Sequence, residues 1–91
     1  MELSVKPLTP QETVTKLMGF LEGRDVAHFR LGSTYLVLTK GVDRVHLHGS
    51  LAGRDNADVV LNSAGEVTYG DTLKLNPFKI AAQLRNSHEV K

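Results

Sequence analysis

His46-Leu47-His48 carries the clearest chemistry in this chain. Residues two apart on a strand point to one side, so the imidazoles would stand together as two ligands of zinc or copper do. A metal site needs at least a third donor. A cupin-type site needs a glutamate a few residues further on, and Ser50 to Asp55 contains none. A histidine-triad hydrolase needs a third histidine at position 50, which is Ser. The second chemical feature is the segment Gly49 to Asn56, GSLAGRDN, where glycines accompany Arg54. Phosphate loops aim backbone N–H groups and a helix N-terminus at the anion. This segment leads into a strand and lacks the closing Gly-Lys-Ser/Thr, so it reads as a connection in which Arg54 is a contact residue. The ten carboxylates show no spacing that pairs two of them for acid–base work. No serine sits in a nucleophile-elbow context either. The expectation is no catalytic residue, no metal and no cofactor.

The histidines must be positioned by Val26 to His48, where three alternating runs are separated by Gly32-Ser33 and Lys40-Gly41. Both dipeptides are two-residue hairpin signals, and a two-residue turn dictates which residues lie opposite. The first turn sets Phe29 against Leu36 and Ala27 against Leu38. The second, at Lys40-Gly41, sets Leu36 against Val45 and Thr34 against Leu47. Both turns put Ala27, Phe29, Leu31, Leu36, Leu38, Val45 and Leu47 on one face, the core side. The other face carries His28, Arg30, Tyr35, Val37, Thr39, Arg44, His46 and His48. Its rows are expected to read Arg30–Tyr35–His46 and His28–Val37–Arg44. In that register His28 lies two strands from His48, roughly 10 Å at 4.7–4.9 Å per strand, and one row out of line, so it cannot join the pair. An acidic residue could do so from a later strand, if that strand neighbours the third.

Helices flank this meander. Thr9-Pro10-Gln11-Glu12 combines a cap, a first-position proline and a capping-box glutamate. Val14, Leu17, Met18 and Leu21 then follow at helical spacing, giving a helix over 10–22 with Gly23 as terminator. Gly19 weakens that helix, and close packing on the sheet is a reason to have a glycine there. Ala57 to Asn62 and Glu66 to Tyr69 form a hairpin around Asn62-Ser63-Ala64-Gly65, read as a type I turn with a glycine bulge. That pairing sets Val59 and Leu61 with Val67 and Tyr69 on one face. Leu73 and Leu75 continue the strand in phase. Asn76-Pro77 opens a second helix to about Asn86, and SHEVK is expected to fray. The fold expected is α+β in a single domain over 1–91. It has an N-terminal helix, an antiparallel sheet of about five strands (three-stranded meander plus hairpin) and a C-terminal helix, with both helices on one face of the sheet.

Composition sets the limits on function. The 91 residues carry a net charge of +1, 41% hydrophobic residues and no cysteine. A domain this small, with no disulfide to staple it, commonly leans on self-association or a partner. The weak charge argues against nucleic-acid binding driven by bulk electrostatics. No apolar run approaches the ~20 residues that span a membrane, and the start lacks a signal-peptide pattern. A cytoplasmic location is the default. The leading expectation is a small non-enzymatic interaction module: an adaptor, subunit or inhibitor that binds protein through the exposed sheet face, or a homodimer. Its candidate surface is His28, Arg30, Tyr35, Val37, Arg44, His46, His48 and Arg54. The alternative is a nucleic-acid or nucleotide-binding domain that uses the same cation–aromatic face.

Overall fold

The computed structural model describes residues 6–51 and 56–90. Helix α1 (Pro10–Phe20) starts on the expected capping box. Thr9 Oγ1 accepts from the Glu12 backbone N–H at 3.2 Å, and Glu12 Oε1 accepts from the Thr9 N–H at 3.0 Å. The helix ends two residues earlier than its periodicity predicts. Gly19 is exposed with no atom within 4 Å of where its Cβ would be, so close packing is not its role.

Five strands follow: β1 (Val26–Leu31), β2 (Thr34–Gly41), β3 (Arg44–Leu51), β4 (Asn56–Asn62) and β5 (Val67–Gly70). They form one antiparallel sheet in the order β1-β2-β3-β4-β5. Helix α2 (Pro77–Gln83) begins where Asn76 Oδ1 accepts from the Phe78 and Lys79 N–H groups, and it stops three residues short of the expected end. Val14, Leu17 and Leu21 from the α1 region join Ala81 and Leu84 from the α2 region against the inner sheet face. That face is Ala27, Phe29, Leu36, Leu38, Val45, Leu47, Ala57, Val59 and Leu61, all buried. Both helices thus cover one side of an α+β sheet. Phe20 reaches this core by an edge-on contact with Phe29, with ring centroids 4.8 Å apart.

Three segments depart from expectation. The strand does not continue through Leu73 and Leu75. Asp71 instead closes a turn, its Oδ1 accepting from the Leu73 N–H and its carbonyl from the Lys74 and Leu75 N–H groups. Short acidic side chains favour such turns because they mimic the backbone acceptor. Leu75 is buried, whereas Leu73 is 95% exposed. The polar tail does not fray over the described residues. After a 3₁₀ turn at Asn86–His88, Glu89 bridges to Phe29, pairs with Arg24, and Val90 N–H donates to the His28 carbonyl. The tail therefore covers part of the β1 edge, which would otherwise present unpaired backbone groups. Finally, the segment expected as a loop from Gly49 is strand through Leu51, and strand resumes at Asn56. No helix among the described residues is long and apolar enough to cross a membrane.

Candidate functional site

The first hairpin has the expected register, with Phe29 opposite Leu36 and Ala27 opposite Leu38. The second does not. Its turn residues are Val42-Asp43, and Gly41 and Arg44 form the closing pair. Asp43 takes the left-handed conformation at φ 53°, which aspartate tolerates better than most residues. Moving the turn two residues along keeps Lys40 and Gly41 in β2 and lets all eight residues of β2 pair with all eight of β3. The pairing shifts by an even number of residues, so each side chain keeps its expected face and changes only its row.

The new rows decide what meets on the outer face. They read His28–Val37–His48–Asp58, Arg30–Tyr35–Ser50–Asn56 and Val26–Thr39–His46–Val60. Arg30–Tyr35–His46 and His28–Val37–Arg44 are not rows of this sheet. His28 is in line with His48 after all, but Val37 stands between them. His28 turns to Tyr35 instead, Nδ1 to hydroxyl at 2.6 Å. The Arg30 guanidinium lies 6.0 Å from the centre of the same tyrosine ring, within cation–π range. Tyr35 is thus held by one neighbour at its hydroxyl and another at its ring.

The pair His46 and His48 does acquire an acidic third member, because β4 neighbours β3. Asp58 Oδ1 lies 2.8 Å from His46 Nε2 and 2.8 Å from His48 Nδ1. The His48 hydrogen bond is the largest cause holding the Asp58 carboxyl below its ordinary value; the His46 bond and the charge of both rings add to it, while burial opposes. Neutral rings can both donate to the oxygen only as the Nε2–H tautomer of His46 and the Nδ1–H tautomer of His48. The outward nitrogens, His46 Nδ1 and His48 Nε2, are then acceptors, and they become donors when the rings are protonated. The two nitrogens converge on an oxygen rather than on a vacant point, and among the described residues no three such side chains are arranged to hold a metal ion.

Asp58 is the functional residue that sequence reasoning did not name. Its position on the outer side of ADVVLN could be read from alternation, but its row depends on the β3–β4 pairing. Tyr69 is a second such residue. The β4–β5 pairing shifts between Val60 and Leu61, so Tyr69 pairs with Val60 on the outer face rather than joining Val59 and Leu61 in the core. A bulge inserts one residue and so reverses the side of everything beyond it. Tyr69 is 67% exposed. Arg44 sits at the far end of the sheet, away from Tyr35, with its stem against Gly41. Arg54 lies outside the described residues. What the fold and face define is an α+β domain with one helix-covered and one open sheet face. Comparison with protein-family models, curated proteins and solved structures returned no match to this chain.

Proposed function

We propose that this chain is a small non-enzymatic interaction module, an adaptor, subunit or inhibitor, that docks on a protein through its open sheet face. The observation that carries this reading is how the face is held. Tyr35 is braced by His28 and Arg30, and His46 and His48 are braced by Asp58, all on hydrogen-bonded strands. Side chains already held in place lose little conformational freedom on docking, which leaves more of the contact energy as affinity. Tyrosine and arginine are also the residues interfaces enrich at their centres. Half-buried Val37 and Val60 supply the apolar floor between them.

Charge favours an acid-bearing partner. Arg30 and three imidazoles face outward against the single carboxylate of Asp58, so two copies meeting through this face would oppose like charges. The absence of cysteine suits a cytoplasmic setting. The second reading, a nucleic-acid binder, draws on the same cations and tyrosines. It is weaker because a base stacking on Tyr35 would compete with Arg30 for the ring.

The test is capture from the native host with the intact chain and with a Tyr35→Ala/Tyr69→Ala variant. A protein retained by the first and lost by the second, with unchanged melting, supports the module. Equal retention by both removes the open face from consideration. Retention of nucleic acid at low salt that falls steeply with added salt supports the second reading instead.

A further inference from the structure

On the helix side, away from the proposed docking face, a cavity of about 400 Å³ opens between α1 and the β2–β3 hairpin end. Val14 and Met18 form its apolar wall, and Lys40, Asp43 and Arg44 bring charge to it. The volume lies within the range of small-molecule sites, roughly 300–1,000 Å³, which combine apolar walls with a few placed polar groups. Two cations and one carboxylate leave a single net positive charge. Among the described residues, neither Lys40 nor Arg44 has an ion-pair partner, and the hydrogen bond from Arg44 Nε to the Val42 carbonyl is long at 3.4 Å.

The path of Arg44 is built into β2. A Cβ at position 41 would fall 2.6 Å from Arg44 Cγ and 3.1 Å from its Cδ. Gly41 does not have a positive φ, so backbone conformation does not demand glycine there. A strand glycine with ordinary dihedrals marks close approach by another group. Here that group is the arginine stem, which crosses position 41 to line the cavity. Outer-face parity alone would turn Arg44 away from α1.

We propose that this cavity binds a small monocarboxylate with a short apolar chain, the carboxylate on Arg44 and Lys40 and the chain on Val14 and Met18. Arginine's planar fork matches a carboxylate in two parallel hydrogen bonds. Asp43 at the rim selects against dianions by like-charge repulsion, so a single negative charge is the best match.

The test is calorimetric titration of the full chain with hexanoate, alongside amide chemical-shift mapping. Saturable 1:1 binding is expected, with shifts centred on Val14, Met18 and Gly41. Hexanamide, the uncharged isostere, and the Arg44→Gln variant should each weaken binding about tenfold, the effect of losing one charge-assisted hydrogen bond. Gly41→Val should weaken it too, by blocking the arginine stem; the melting temperature of each variant checks that the fold is kept, and Lys40→Gln supplies a second charge variant. Equal affinity for hexanamide, shifts elsewhere, indifference to both charge variants, or no saturable binding by hexanoate and octanoate alike would overturn the proposal.

Discussion

Asp58 stands directly across from His48 in the β3–β4 ladder, and the carboxylate oxygen that meets His48 Nδ1 at 2.8 Å also meets His46. One residue of β4 therefore orients two residues of β3, and the outward nitrogens of both rings follow from it.

That relationship makes stability depend on pH in a definite direction. The Asp58 carboxyl, held first by the His48 hydrogen bond, titrates below its ordinary value of 3.8 in the folded chain. Its stabilising contribution is present above the unfolded pKa and is lost as pH falls through the lower folded one. Asp58→Asn should melt earlier than the native chain at about pH 5, with the gap closing as the pH is taken well below 3.8. Thermal melts across the acid range check this, and a gap of constant size would contradict it.

The shifted hairpin register can be tested through packing. Gly49 faces Leu36, and a Cβ on it would lie 2.7 Å from Leu75 Cδ1. Gly49→Ala should cost about 1–3 kcal/mol by overpacking. Leu75→Ala alone should cost roughly 2–5 kcal/mol by cavity formation. Combined, the two changes should cost less than their sum, because the new methyl occupies space the leucine vacates. Chemical denaturation of the four proteins measures the coupling; simple additivity would place Gly49 and Leu75 apart.

Two glycines should respond in opposite ways to the same change. Gly19 lies in α1 with open space around it, so Gly19→Ala should stabilise the chain by up to ~1 kcal/mol through helix propensity. Gly65 has φ 84°, and a Cβ there would fall 2.0 Å from the Pro10 carbonyl oxygen. Left-handed strain and collision with backbone together should make Gly65→Ala cost about 2–4 kcal/mol. Urea titration of each variant reads both signs, and a harmless Gly65→Ala would mean the Asn62–Gly65 turn does not press on α1.

Thr13 is fully buried in α1, and its hydroxyl has no hydrogen-bond partner among the described residues. Thr13→Val keeps the shape and removes the unsatisfied group, so it should stabilise the fold by roughly 1 kcal/mol. A rise in the denaturation midpoint checks it. A fall would show that the hydroxyl is satisfied in solution.

The outcome for each segment follows from how local its determinants are. Thr9, Pro10 and Glu12 act within one helical turn, and Asn76 and Pro77 within another, so both helix starts were readable in the chain. Alternation likewise assigned Phe29, Leu36, Leu38, Val45 and Leu47 to the core, because side chains change face at every residue of a strand. Rows are different, since an even shift in pairing leaves every face intact. Choosing Val42-Asp43 over Lys40-Gly41 depended on the long β2–β3 ladder and on the space at Gly49 that Leu75 occupies. The bulge at Val60/Leu61 turned Tyr69 outward, the β3–β4 pairing brought Asp58 to the histidines, and the bare strand at Gly41 led Arg44 toward α1. Sequence alone determined the class of fold and the two sides of the meander, since those are properties of neighbours along the chain. Which side chains stand next to which on the open face was decided only by tertiary structure, because pairing between strands answers to contacts many residues away.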